Sequence, residues 1–234
     1  NKTFEPCCGK GNFVLAIFEK YFDGLSDISD EVERCRVIIE ECLYFTDIDP
    51  VNVYITKELL MCHAISKLSG DPWTCFEQIC NFNYKCKVGN TLELDINKEW
   101  GLNYFDAIIG NPPYEKYKET GDNKLYLEFF KKSIEMINDH KYILFITPIN
   151  IKNYLTVLDK NREYVTDMYK VLYMAINTPN KHFKNVGNLF TYFLLQKDIV
   201  TESEIKFKYL RGGIEEETTT IFNKGTILPL CPTY

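Results

Sequence analysis

Apolar and polar positions along the chain follow two rhythms. Short apolar runs read as buried strands at Lys2 to Glu5, Leu43 to Thr46, Tyr84 to Val88, Tyr104 to Ile109, Tyr142 to Thr147, Val171 to Ile176 and Leu189 to Leu195. Between them, apolar residues at helical spacing predict helices over Asn12 to Phe22, Val51 to Leu68, Leu125 to Ile137 and Ile151 to Leu158. Such alternation predicts an α/β fold, a mostly parallel sheet with helices on both faces. No repeat or low-complexity linker interrupts it. The polar stretch Thr201 to Glu204 and the acidic run Glu215 to Glu217 predict a compact domain over residues 1–198, followed by an appendage or the start of a further region over 199–234.

Composition narrows the class. With 234 residues, 45% of them hydrophobic, the chain can bury one large core. No run approaches the roughly 18 apolar residues of a membrane span, and the start NKTFEP lacks a signal peptide's apolar core, so a soluble, intracellular protein is expected. Nine scattered cysteines, an odd number, suit reduced thiols rather than a disulfide framework. The net charge of −6 leaves any polyanion partner to a local basic face.

Three strand ends carry candidate chemistry. In EPCCGKGNF, Glu5 to Phe13, Gly9 and Gly11 let the backbone turn sharply between strand and helix and approach a ligand. A glycine turn that binds nothing is the plain alternative. Val14 breaks the dinucleotide pattern and Gly11 follows Lys10 where a phosphate loop needs Ser or Thr, so a nucleoside without phosphates fits better. In LYFTDIDP, Asp47 ends a strand, where a carboxylate accepts from ribose hydroxyls, and Ile48 offers an apolar wall; Asp49 suits a cap on a helix starting at Pro50. In VGNTLELD, Asn90 can pair with an adenine edge, although Gly-Asn is also an ordinary turn. FDAIIGNPPYEKY then sets Asn111, Pro112, Pro113 and Tyr114 at the carboxyl end of another strand, which prolines cannot continue.

Taken in order, EPCCGKGNF, TDIDP, GNT and GNPPY resemble the S-adenosylmethionine-dependent adenine-specific (N-6) DNA methyltransferases. FDAIIGNPPY, LYLEFFKKSIEMI and YILFITPINI are similar to the Eco57I-like restriction-modification methylase branch. The resemblance runs from the first residue to about Lys197. NPPY is shared with glutamine and ribosomal-RNA adenine methyltransferases, so its combination with the glycine loop carries the assignment. It implies a Rossmann-like class I methyltransferase fold with a seven-stranded sheet. It also implies S-adenosylmethionine as cofactor, no metal, and DNA with a flipped adenine as partner.

By that pattern Glu5, Pro6, Cys7, Gly9 and Gly11 would hold the donor's methionine part, Asp47 its ribose, and Ile48, Asn90, Thr91 and Phe129 its adenine side. Many family members have Asp at the position of Asn90. Asn111 and the Pro112 carbonyl would accept from the adenine amino group and favour a pyramidal nitrogen, Pro113 would stiffen the loop, and Tyr114 would stack on the base. NKHFKNVGNLFTYFLLQK, Asn180 to Lys197, resembles the segment that supplies a second aromatic, for which Phe183 is the candidate; a core role is its alternative. Lys116, Lys118, Lys124, Lys181 and Lys184 would form a basic rim, unless they are merely solvated.

Cys62, His63, Cys75, Cys80 and Cys86 lack a C-x-x-C pair, so buried free thiols are expected rather than zinc. The family usually carries a segment before the glycine loop and a target-recognition domain after the catalytic one. Three readings stay open: the chain is the catalytic part of a longer protein, a separate target-recognition domain or subunit supplies specificity, or little sequence is recognised. An RNA adenine or protein glutamine methyltransferase, or a non-catalytic donor-binding module, are the alternatives.

Overall fold

The structure is a computed structural model, described here for residues 1–114, 124–149, 151, 155, 169–176, 190–198, 202–211 and 214–223. It divides into two compact units, Asn1–Gly110 and Asn111–Tyr234.

The first unit is a parallel sheet of four strands, β1 (Thr3–Glu5), β2 (Leu43–Asp47), β3 (Lys85–Val88) and β4 (Phe105–Gly110), in the order β3-β2-β1-β4. Because all four run the same way, their carboxyl ends share one edge, and Glu5, Asp47, Val88 and Gly110 are the last strand residues there. Strand alternation sorts β2 between two faces. Leu43 and Phe45 enter a core with Val14, Phe18, Val53 and Leu60, from the helices α1 (Asn12–Gly24) and α3 (Pro50–Ile65). Tyr44 turns to the other face, where Phe4 stacks on Phe105 at 4.7 Å and Trp100 packs edge-on against both.

Local sequence explains where these helices start. Asp49 caps α3 by accepting from the Val51 N–H, with Pro50 in the first turn, where its missing N–H costs nothing. The same Asp-Pro device starts α4 (Pro72–Ile79), capped by Asp71, and Asp95 caps α5 (Ile96–Trp100). The helix α2 (Glu31–Val37) is capped by Asp30 and runs through a π turn, Ile38–Cys42, straight into β2. The helix expected to Leu68 stops at Ile65.

The second unit holds α6 (Leu125–Met136) and five strands, β5 (Ile137–Pro148), β6 (Lys170–Ile176), β7 (Phe190–Gln196), β8 (Glu202–Arg211) and β9 (Ile214–Asn223), in the order β5-β7-β6-β8-β9. β7 is antiparallel to β5 and β6, β8 is parallel to β6, and β9 is antiparallel to β8. Its core is aromatic: Phe193 meets Phe130 and Phe145 edge-on, and Tyr169 meets Phe130 likewise.

The α/β class with a mostly parallel sheet agrees with expectation: four of the seven described strand pairings are parallel. The strand count does not. Among the described residues nine strands replace the expected seven, because β8 and β9 lie in the stretch that polar and acidic residues had marked as an appendage. β8 buries Ile205, Phe207 and Tyr209, a period-two apolar set hidden among charges. β5 also begins five residues earlier than expected, with His140 in a left-handed conformation (φ 60°) before the regular pairing from Tyr142. The expected helix at Ile151 to Leu158 falls largely outside the described residues.

No described helix is long and apolar enough to cross a membrane.

Candidate functional site

The glycine loop leaves β1 at Glu5 and enters α1 through two left-handed glycines, Gly9 at φ 53° and Gly11 at φ 85°. A side chain at Gly11 would also meet Thr56, whose Cγ2 lies 3.0 Å from the position of an added Cβ. Long-range bonds fix the loop. The Cys8 N–H donates to the Thr46 carbonyl at 2.8 Å, and the Thr56 hydroxyl donates to the Gly9 carbonyl at 3.1 Å. Beneath it, the Thr91 and Thr46 hydroxyls share a hydrogen bond of 2.6 Å and stand 2.5 and 3.1 Å from the Pro6 carbonyl, which accepts the remaining proton of the pair. Thr46 and Thr56 were not singled out from the sequence, where they stand as ordinary strand and helix residues.

Asp47 ties the loop to β2. Its Oδ2 accepts from the Gly9 N–H at 2.8 Å, and its Oδ1 from the Asp49 N–H at 2.9 Å and the Asn52 amide at 3.3 Å. Each carboxylate oxygen has two lone pairs, so Oδ2 keeps one for a further donor. Ile48 beside it is 73% exposed, a large apolar side chain facing solvent. Asn90 caps the turn Thr91–Glu93, its Oδ1 accepting from Leu92 and its Nδ2 donating to Glu93. These bonds still leave its amide one N–H and one lone pair. A polar cleft of about 520 Å³ opens beside Asn90 and Thr91, lined also by Thr46, Lys87, Glu93 and Lys98.

Glu5 is the least accommodated group in the loop. It is 2% exposed, and its Oε2 is buried without a hydrogen-bond partner among the described residues. Burial pushes its carboxyl well above the ordinary range, the Val14 N–H opposes that, and Asp47 adds to it. Cys8 is also buried, and its thiol is pushed up to about 12, chiefly by that burial, so it is no nucleophile.

Asn111 follows the last residue of β4 directly in the chain and opens the second unit. Pro112 is buried, Pro113 exposed, and Asn111 and Tyr114 half-buried. The Tyr114 hydroxyl donates to the Asn111 Oδ1 at 2.6 Å, and its ring lies 5.3 Å from Phe190 at the start of β7. Phe190 is thus an aromatic neighbour of the motif that the sequence had only as a strand residue. Phe183, with Lys116, Lys118, Lys181 and Lys184, lies outside the described residues. Lys124 directly precedes α6. Phe129 is buried in α6, its carbonyl accepting from the Ser133 hydroxyl.

Among the described residues no group of His, Cys, Asp and Glu is placed to hold a metal. Cys75 is buried as expected of a free thiol, whereas Cys62 is exposed, on a polar position of α3, and Cys80 and Cys86 are half-buried. Buried thiols are therefore only part of that group.

The first unit presents polar and apolar groups that a ligand could meet. Glu5 has a buried oxygen lacking a donor, Asp47 has a lone pair to spare, Ile48 is an exposed apolar wall, and the loop's backbone permits close approach.

Known proteins give the same fold. The EcoKI M protein, a type I restriction enzyme subunit, is 14% identical with a TM-score of 0.64, over 89% of this chain and 44% of its own. The type IIL restriction-modification enzyme MmeI, solved with DNA, is 13% identical with a TM-score of 0.62, over 94% of this chain and 34% of its own. A Listeria monocytogenes protein assigned to the class I S-adenosylmethionine-dependent methyltransferases is 12% identical with a TM-score of 0.53, over 86% and 55%. The chain spans about two-fifths of the length of the type I subunits it matches. No curated protein matches it in sequence. The model of the Eco57I restriction-modification methylases matches residues 41–183, more than half of the chain and both Asp47 and Asn111 to Tyr114. The chain belongs to the Eco57I restriction-modification methylase family.

Proposed function

We propose that this chain transfers a methyl group from S-adenosylmethionine to the exocyclic amino nitrogen of adenine in DNA, as the modification part of a restriction-modification system. The observation that carries the proposal is the amide of Asn111 at the end of β4, followed by Pro112 and held by Tyr114, within a methylase family match. S-adenosylmethionine supplies an electrophilic methyl on a sulfonium. Glu5, Pro6, Cys7, Gly9 and Gly11 would hold its amino-acid end, Asp47 its ribose, and Ile48, Asn90 and Thr91 its adenine.

An adenine amino nitrogen is a poor nucleophile because its lone pair is delocalised into the ring. The Asn111 Oδ1 and the Pro112 carbonyl accept its two N–H bonds and favour a pyramidal nitrogen. Both acceptors gain as positive charge builds there, which stabilises the transition state over the ground state. Pro112 and Pro113 hold the acceptors in place beforehand, and Tyr114 stacks on the flipped base. DNA is favoured as substrate because MmeI and LlaBIII are described in complex with it. A separate domain or subunit would supply target recognition, consistent with the partial coverage of the type I relatives.

The test is transfer of labelled methyl to unmethylated duplex DNA, with nucleoside digestion and an Asn111→Ala control. Methyladenine that vanishes in the control supports the proposal. Label found only in RNA or in glutamine peptides would reassign the substrate, and donor binding without transfer to any of them would mark a binding module.

A further inference from the structure

We propose that donor binding is coupled to release of one proton from Glu5, which is neutral in the ligand-free protein and ionises as it pairs with the donor's ammonium group. This rests on the reading of the loop as an S-adenosylmethionine site and adds to it a protonation change.

The geometry sets the problem. Glu5 closes β1 at the carboxyl edge of the sheet, 2% exposed, and among the described residues no donor reaches its Oε2. The groups facing it from adjoining elements are the Val14 N–H at the start of α1, the Asp47 carboxylate at the end of β2 and the Cys8 thiol on the loop. None of these is a cation, and Asp47 carries a charge of the same sign as an ionised Glu5. A buried carboxylate in that setting is costly, so the group keeps its proton. Burial's upward push on its carboxyl, which the Val14 N–H opposes and Asp47 reinforces, is in accord. The proton does not solve the packing problem, because an O–H on Oε2 would lack an acceptor just as the ionised oxygen lacks a donor. A ligand that brings both positive charge and N–H donors resolves it. The amino-acid end of S-adenosylmethionine carries an ammonium with those properties.

The step balances as follows. The Glu5 carboxylic acid meets the ligand ammonium, the O–H bond breaks, its proton passes to the buffer, and a carboxylate–ammonium pair remains in the loop.

The experiment is titration calorimetry of S-adenosylmethionine into the protein at pH 7, in phosphate and in Tris, whose ionisation heats differ; the enthalpy difference then counts about one proton released per donor bound. Glu5→Gln should abolish that difference and weaken donor binding by about tenfold or more. On the wild-type protein, 5′-methylthioadenosine, which keeps the nucleoside and thioether but has no amine, should bind with no buffer dependence, so the proposal does not hang on the variant's folding. Saturable donor binding with the same heat in both buffers would overturn it, as would proton release that persists with methylthioadenosine or in a folded Glu5→Gln protein. Absence of any saturable donor binding would instead sink the cofactor reading on which it rests.

Discussion

The Tyr114 hydroxyl donates to the Asn111 Oδ1 at 2.6 Å, so the two ends of the Asn-Pro-Pro-Tyr motif are joined. A carbonyl oxygen has two lone pairs, and the hydroxyl uses one, leaving the other for a substrate N–H. The ring and the hydroxyl thus have separable roles. Asn111→Ala removes an acceptor that strengthens in the transition state and should lower kcat by about 10²–10³-fold. Tyr114→Phe keeps the stacking surface and should hold kcat/KM within roughly threefold, whereas Tyr114→Ala loses base stacking, about 1–3 kcal/mol. Steady-state methyl transfer to duplex DNA measures all three. A Phe variant as impaired as the Ala variant would show that the hydroxyl, not the ring, is the functional part.

Asp47 uses its two oxygens in two directions, toward Gly9 and toward Asp49 and Asn52. Asparagine offers only one acceptor oxygen, so Asp47→Asn must give up one side. Its NH₂ would then face an N–H donor. Asp47→Ala gives up both, leaving the Gly9 N–H unpaired at a cost of about 1–3 kcal/mol in stability. Donor affinity by calorimetry should fall in the order wild type, Asn, Ala, by about tenfold or more for Ala. An Ala variant that binds donor within twofold of wild type would remove Asp47 from the ribose site.

Local rules account for most of what the sequence disclosed. β1, β2, β4, α1 and α6 follow from apolar periodicity, and the left-handed glycines from the need to turn between β1 and α1. The Asp-Pro start of α3 was legible, yet the same signal at Asp71-Pro72 went unread, because α4 is only eight residues long and buries just Cys75 and Ile79, too short a run to stand out from its surroundings. β8 was obscured for a related reason, since its buried Ile205, Phe207 and Tyr209 alternate with charged residues beside an acidic run. The motif residues could be named because each sits at a strand end, a position that pattern predicts. The hydroxyls of Thr46 and Thr91 on the Pro6 carbonyl could not, because they join residues 40 and 85 positions apart in sequence. Only the tertiary fold brings them together.

Gly11 combines a left-handed backbone with a close neighbour, and so should not tolerate a side chain. The φ of 85° costs an L residue about 1–2 kcal/mol, and an added methyl would stand 3.0 Å from Thr56 Cγ2. Gly11→Ala should lower Tm by several degrees, at about 2–4 °C per kcal/mol for a chain of this size. Gly89 is the control: it has no left-handed φ and an added Cβ meets nothing within 4 Å. Gly89→Ala should stay within about 0.5 kcal/mol of wild type. Equal losses at the two positions, by thermal melts, would mean that backbone conformation is not what requires glycine at position 11.

Glu5 also ties stability to pH, with a definite sign. Its carboxyl lies well above the ordinary value of 4.5 in the folded protein, because of burial first, against the Val14 N–H and with Asp47. Below about pH 4.5 both folded and unfolded chains hold this proton and the group is neutral in its effect. As pH rises past that value the unfolded chain releases the proton while the folded chain retains it. The folded state then binds more protons, and stability falls with rising pH until the folded group ionises too. Glu19, lowered chiefly by its bond from Lys67, and Asp71, lowered chiefly by the Thr74 hydroxyl, act in the opposite direction and at lower pH. Both persist in a Glu5→Gln variant, so the difference between variant and wild type isolates Glu5. Urea unfolding at about pH 5, 6, 7 and 8 should show the Gln variant gaining on the wild type as pH rises. Midpoints that stay parallel across that range would mean that Glu5 ionises in the folded protein at its ordinary pH, and that its buried oxygen is served by a partner.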